Sequence, residues 1–418
     1  MTKVCFRFLL LFLLISFIVH AEPKELKGLD SYITKAMTDW KVPGFALAVV
    51  KDDKVVFSKC YGVRKYGETN PVDERTMFAI ASLTKAFTAA SIAMLVDEGK
   101  LKWDDPATKY LPGFQLYDPY VTREITIRDL LSHRSGLGAY APDLLWLRST
   151  LSRADILNRI RYLKPETSFR SAYAYSNIMV LAGGEIIPSV TGKSWDQFVR
   201  ERIFTPLGMA SSNTSIQDLK GENVASPHII EEKKVKSVPF YSVDNLGAAG
   251  AINSNLADMT KWLRFQLSDG SFEGKQLIKK ESMEEMHSPQ TIIRIGEMSH
   301  KDFPDTHFGA YGLCWRLRDY HGKLMVFHAG AVNQMTSYIL LLPEEKLGIV
   351  ALTNMSGTSM HSAIAYRIVD AYLGAPSKDW SADFLKEDQE DEQKHAEIIK
   401  NLEQTRIKDT KPSLPLSG

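Results

Sequence analysis

Cysteine is scarce: three occur in 418 residues, and Cys5 lies in an N-terminal segment expected to be removed. Only Cys60 and Cys314 remain, so no disulfide framework is available. At most one bond can form, and two separate buried thiols in apolar, strand-like surroundings are the expected arrangement. No Cys/His spacing of the zinc type is present, and neither cysteine reads as a nucleophile. His300 and His307, with Asp302 and Asp305 nearby, fit no standard ligand spacing. No metal and no cofactor are therefore expected. Charge of one sign is lacking too, with 51 Lys and Arg against 50 Asp and Glu, a net charge of +1. That excludes the basic footprint of nucleic-acid binding and charge-driven disorder. There is no internal repeat.

What is present is ordinary in bulk, with 44% hydrophobic and 24% charged residues, enough for a large soluble core. The N-terminus departs from this. Lys3 and Arg7 precede an apolar run over residues 8–19, and Val19-His20-Ala21 ends in a small residue. This is the layout of a signal peptide cleaved after Ala21, which predicts a periplasmic or secreted protein. The run falls short of the roughly 20 residues of a membrane span. An uncleaved anchor is the alternative, and after cleavage no stable membrane span is expected.

Residues 44–50 and 54–61 run apolar or alternate around Lys51-Asp52-Asp53, a hairpin signal. Residues 84–95 have helical spacing and close on Glu98-Gly99-Lys100. Residues 104–233 read as mostly helical segments joined by Pro/Gly turns, and residues 255–267 as a further helix. Strand character returns at residues 311–317, 323–328, 335–342 and 347–353, and residues 361–373 fit a closing helix. The fold class is therefore α+β, an antiparallel sheet flanked by helices, with a mostly helical subdomain inserted at about 104–233. The main domain should cover 22–375. Residues 386–403 are charge-dense and predict a solvated helix, and Asp409 to Pro415 reads as a linker.

Three short patterns can carry chemistry. In Ser82-Leu83-Thr84-Lys85, serine and lysine three apart on a helix share a face, so the amine can reach the hydroxyl. The helix start supplies unpaired N–H groups, and a lysine kept neutral by burial can serve as base. A helix cap followed by a surface lysine is the alternative for so short a motif. The apolar flanks, residues 78–81 and 86–90, favour a buried lysine. Tyr175-Ser176-Asn177 offers a proton carrier and an amide; packing and capping are the structural alternative. His328-Ala329-Gly330 ends an apolar strand, where glycine allows close approach and the N–H of Ala331 can face a substrate. A strand-end histidine in a turn is the alternative there.

In this order the three elements resemble the serine β-lactamase and penicillin-binding superfamily, in its class C-like branch, which includes esterases and D-amino-acid peptidases. The likeness covers roughly residues 29–374. Leu130-Leu131-Ser132-His133-Arg134-Ser135-Gly136-Leu137 is similar to a turn typical of that branch. So are residues 249–254 with 258–263, Tyr311-Gly312-Leu313 with Trp315, and residues 341–345 running into 352–354. The resemblance implies that Ser82 is acylated, with Lys85 as base or relay and Tyr175 as proton shuttle. It implies that Asn177 holds the substrate amide, and that the N–H groups of Ser82 and Ala331 form an oxyanion hole around a site bordered by His328 and Gly330. Which of Lys85 and Tyr175 takes the first proton stays open.

Two departures bear on substrate. Many relatives have Lys-Thr-Gly where this chain has His328-Ala329-Gly330, and a histidine only partly charged near neutral pH should hold a carboxylate less well. At Asn333-Gln334-Met335, relatives often have glycine before an aromatic or Met, so Gln334 is expected to narrow or polarise the site edge. The expectation is an exported serine hydrolase cleaving an amide, peptide or ester bond through a Ser82 acyl-enzyme. D-amino-acid peptides or esters are favoured over β-lactams. The alternatives are a class C-like β-lactamase and a non-catalytic penicillin-recognition fold that binds cell-wall peptides. The C-terminal residues from Lys411 resemble the junction to a small β-rich domain in some relatives, which implies truncation or loss of that domain and leaves the oligomeric state open.

Overall fold

The computed structural model of the protein describes residues 23–296 and 301–406. The signal-type segment and the stretch at 409–415 lie outside the described residues.

Apolar alternation in the N-terminal hairpin builds β1 (Gly44–Lys51) and β2 (Lys54–Gly62). They join at Asp52 and Asp53, both at positive φ (51° and 60°), the geometry a two-residue hairpin turn needs. Six later strands complete one sheet: β3 (Thr291–Ile293), β4 (Gly309–Tyr311), β5 (Arg316–Tyr320), β6 (Lys323–Val332), β7 (Met335–Leu342) and β8 (Leu347–Thr353). The order is β2-β1-β8-β7-β6-β5-β4-β3, antiparallel throughout. β1 pairs with β8, Phe45 opposite Thr353, so the two ends of the domain close side by side.

Both faces of the central strands are covered. Phe45, Leu47 and Val49 of β1 join the core under α1 (Leu29–Asp39) and the late helix at Met360–Leu373. Ala46, Ala48 and Val50 enter the core that holds α2 (Thr84–Asp97). This explains why the central strands read as near-continuous apolar runs. Every residue of α2 from Thr84 to Leu95 is buried, as expected of a helix apolar on all sides. Phe87 stacks on Trp262 with ring centroids 3.8 Å apart, a contact worth about 1 kcal/mol beyond area burial. The inserted region supplies short helices and α3 (Asn177–Thr191), and its end carries a small hairpin, His228–Glu231 with Lys234–Ser237. The longer helices that follow include α4 (Leu256–Leu267), α5 (Met360–Leu373) and α6 (Trp380–Thr405). The charge-dense segment is the outer part of α6, exposed from Gln389 onward. Among the described residues no helix is long and apolar enough to cross a membrane.

Two local readings change. Residues 311–317 are not one strand: Cys314 has φ 64°, its N–H donates to Leu131 O, and a turn separates β4 from β5. The chain must fold in there to seal the core beneath the site. His328-Ala329-Gly330 does not end a strand either, since β6 continues to Val332 and pairs with β7 to the hairpin turn. Cys60 and Cys314 are both free.

Candidate active site

Ala81 sits at φ 52°, a region that costs a residue bearing a Cβ about 1–2 kcal/mol. The bend lifts Ser82 out as the one half-exposed residue among buried Ala81, Leu83, Thr84 and Lys85. A 3₁₀ turn, Ala81–Leu83, then runs into α2. The turn is pinned from two sides. Ile80 N–H donates to Ile252 O (3.0 Å), and Ser337 Oγ donates to Ile80 O (2.7 Å). β6 presses against it at Gly330, where a Cβ would lie 2.5 Å from both Ile80 O and Ser337 Oγ. Only glycine lets strand and nucleophile turn meet this closely.

Ser82 Oγ accepts from Lys85 Nζ at 3.0 Å and from Tyr175 Oη at 2.9 Å. Lys85 Nζ also donates to Asn177 Oδ1 (2.7 Å) and Ala249 O (2.6 Å). No carboxylate pairs with it, and burial holds its amine down at about 7. Burial acts oppositely on Tyr175, raising the phenol well above its usual range so that it keeps its proton. The Lys85 nitrogen stands 4.9 Å from the Tyr175 ring centre. Cys314 lies beneath, its thiol pushed up to about 12 by burial and therefore neutral.

The Leu130–Leu137 turn positions Tyr175. Buried His133 accepts from Ser176 N–H at Nδ1 (3.1 Å), and its carbonyl accepts from Ala174 N–H (2.9 Å). Its ring packs 4.4 Å from that of Tyr175 and 4.5 Å from that of Tyr311. Ser176, rather than Asn177, caps α3. The Ala249–Ser254 stretch and the residue before it anchor α2, since Thr88 Oγ1 donates to Ala248 O and Ile252 N–H donates to Thr84 Oγ1.

The site lies in a cavity of about 500 Å³ whose lining includes Ser82, Tyr175, Asn177, Arg316, His328 and Ala331. The β6–β7 turn puts Asn333 and Gln334 at φ 50° and 54°, so Val332 and Met335 form its closing hydrogen-bonded pair. Alternation then leaves the N–H of Ala331 on the edge of β6 away from β7, and Ala331 and Ser82 line the same cavity. Gln334 does not shape the site edge, because its Oε1 accepts from Ser356 Oγ (2.6 Å).

His328 is 2% exposed. Its Nδ1 faces the carbonyl of Ala329 (2.6 Å), which can only accept, so Nδ1 carries the proton and Nε2 accepts from Tyr311 Oη (2.9 Å). Burial, with the nearby Lys85 and Arg316 cations, holds its imidazole well below the usual range. The expected part-charged histidine is thus a neutral one. Two residues escaped the sequence reading. Arg316, directly after Trp315, lines the cavity with its guanidinium 5.7 Å from the Tyr173 ring centre. Among the described residues no ion pair or hydrogen bond engages that guanidinium. Asp143 accepts from Asn177 Nδ2 (2.7 Å), and no motif marks it. Among the described residues no group of three or more His, Cys, Asp or Glu side chains could hold a metal.

A strained serine turn between a lysine and a tyrosine, at the edge of a helix-covered antiparallel sheet, defines the serine-hydrolase-like fold of the β-lactamases and penicillin-binding proteins. The Beta-lactamase family model matches residues 29–373, and the chain belongs to that family. It is 30% identical over 389 residues to the unguisins hydrolase ungD' of Aspergillus campestris (strain IBT 28561), covering 89% of this chain and 70% of that protein. It is 27% identical over 341 residues to protein flp of Staphylococcus aureus (strain NCTC 8325 / PS 47), covering 78% of this chain and 63% of that one. The chain thus spans about two thirds of the length of these relatives. Among solved structures, the octameric penicillin-binding protein homologue from Pyrococcus abyssi matches with a TM-score of 0.74 and 26% identity, over 84% of this chain and 78% of that one.

Proposed function

We propose that the protein is an exported serine hydrolase that cleaves a peptide, amide or ester bond through an acyl-enzyme on Ser82. The observation that carries this is the convergence of Lys85 Nζ and Tyr175 Oη on Ser82 Oγ. A neutral Lys85 takes the serine proton as Oγ attacks the acyl carbon. Negative charge developing on the acyl oxygen meets the N–H groups of Ser82 and Ala331. As the bond to the leaving group breaks, Tyr175 gives that group its proton and is reprotonated from Lys85. Water then attacks the ester, passes its proton back through the same pair, and releases the acid and Ser82. The tyrosine holds its proton while the lysine amine sits at about 7, which supports Lys85 as the first base.

The site also supports a substrate class. A neutral His328 offers no cation, whereas the unengaged Arg316 guanidinium offers a planar fork suited to a carboxylate. Peptides and esters with a carboxylate on the leaving-group side fit best; penicillins carry such a carboxylate too, and it is His328 in place of a lysine that puts D-amino-acid peptides ahead of them. The basic and apolar layout before Ala21 supports export.

Intact mass of the protein with a fluorophosphonate and with a penicillin, using Ser82→Ala as control, tests the reading. A fluorophosphonate adduct on wild type alone is expected. Equal labelling of the Ser82→Ala protein, or none on wild type, would remove Ser82 as the nucleophile.

A further inference from the structure

We infer that Asp143, acting through Asn177, is a positioning residue that aims the Lys85 lone pair at Ser82. The inference rests on Ser82 acting as nucleophile. The protonation state of Lys85 fixes how many protons it can donate. A charged ammonium has three, matching its three partners Ser82 Oγ, Asn177 Oδ1 and Ala249 O. A neutral amine, the form that can act as base, has two protons and one lone pair.

Where those two protons go decides whether the amine can act. Ala249 O is a carbonyl and can only accept. Asn177 Oδ1 likewise only accepts, and both distances, 2.6 and 2.7 Å, are shorter than the 3.0 Å to Ser82. Both N–H groups are therefore held by acceptors, and the lone pair is left facing the hydroxyl. This holds only while Asn177 presents its oxygen. An amide turned end for end would present its NH₂ to Lys85 and capture the lone pair instead.

Asp143 forbids that turn. Its carboxylate accepts and cannot donate, and its Oδ2 lies 2.7 Å from Asn177 Nδ2. The amide nitrogen must face Asp143, so the amide oxygen must face Lys85. One carboxylate thereby sets the proton arrangement of a base two residues away in the hydrogen-bond chain. It also engages the Asn177 nitrogen that was expected to hold a substrate amide.

The charge of Asp143 acts separately from its geometry: as an anion it favours the protonated lysine, while burial raises its own carboxyl above the ordinary range, so the lock operates where Asp143 is ionised. The other groups facing Lys85 are Tyr175, Cys314, His133, His328 and Arg316. Burial keeps the phenol, the thiol and both imidazoles uncharged, so Asp143 is the charge that acts directly on Lys85, while Arg316 acts on the two imidazoles. Replacing Asp143 by asparagine removes the orientation lock, since asparagine can donate or accept, and removes the anion.

The test is the rate of fluorophosphonate labelling against pH for the full chain, wild type and Asp143→Asn, each also in an Asn177→Ala background. In Asp143→Asn the plateau rate should fall about tenfold and the pH midpoint should drop, with the thermal midpoint unchanged. In the Asn177→Ala background the same substitution should leave the plateau rate unchanged, because the residue through which it acts is gone. Asp143→Glu, which keeps the carboxylate, should recover most of the rate.

A wild-type rate and midpoint in Asp143→Asn would overturn the inference. So would an equal tenfold loss in both backgrounds, or a rate loss matched by a loss of thermal stability. Failure of Ser82 itself would look different, as labelling absent from wild type or surviving Ser82→Ala.

Discussion

Lys85 and Asp129 are both fully buried, at 0% exposure, and both would be charged in water, yet the fold treats them oppositely. Asp129 is surrounded by compensation. Arg134 Nε lies 2.5 Å away, Arg170 Nη2 2.7 Å, and Thr126 donates from both its N–H (2.9 Å) and its Oγ1 (2.8 Å). Burial pushes the Asp129 carboxyl up, but Arg170, Thr126 and Arg134 together pull it below the ordinary carboxylate range. Lys85 has only neutral partners, and burial brings its amine to about 7. A buried charge with matched partners keeps its charge and organises structure. A buried charge without them titrates near the working pH and becomes available for chemistry.

The largest expected effect comes from removing the unmatched charge. Lys85→Met should lose about 10³-fold in turnover while folding normally, since it deletes a base and fills the same space. Stability should also respond, with a definite sign. The Lys85 amine falls from 10.5 in the open chain to about 7 in the fold, so between these values the unfolded chain binds more protons. Wild-type stability should therefore gain with rising pH across that window, and Lys85→Met should lack that gain. Urea unfolding at both ends of the window measures the difference. Parallel pH profiles for the two proteins would return Lys85 to an ordinary structural role.

Removing the matched charge should act on stability first. Asp129→Ala strands two guanidiniums and an N-terminal helix cap, at a cost of about 3 kcal/mol. The Arg170 side chain is 42% exposed and can rehydrate, which moderates the loss. A change below about 1 kcal/mol in chemical denaturation would place the cluster with ordinary surface pairs.

Arg316 sharpens the comparison as a third case, an unmatched charge at the cavity wall rather than beneath it. Arg316→Gln should raise KM about tenfold for substrates with a carboxylate on the leaving group and leave neutral esters nearly unchanged. An equal rise for both substrates would make Arg316 part of the scaffold.

Much of this was readable beforehand because it is local. Ser82 and Lys85 share a helix face by spacing alone, and the hairpin turns at Asp52-Asp53 and His321-Gly322 carry their own signals. What escaped was set by distant contacts. Asp143 belongs to a 3₁₀ turn, Asp143–Leu145, with no motif, and meets Asn177, 34 residues on, only because the inserted region folds back on itself. Gln334 reads as narrowing or polarising the site edge, but it sits in the β6–β7 turn at positive φ, where its side chain is placed by a partner distant in sequence. Its partner Ser356 lies 22 residues on, after β7, one turn and β8.

The sequence by itself determined the chemistry available: a hydroxyl, an amine and a phenol on segments whose apolar patterns compel a helix, a second helix start and a strand. Periodicity and turn residues act over a few positions, so they survive without the rest of the chain. Only the tertiary structure decided the state of those groups. It left Lys85 without a counter-ion, made His328 a neutral acceptor under Tyr311, and left Arg316 unengaged at the cavity wall. Protonation depends on how much water and how many opposing charges surround a group. For Lys85 that is fixed by partners 92 and 164 residues away, and no short stretch of sequence contains it.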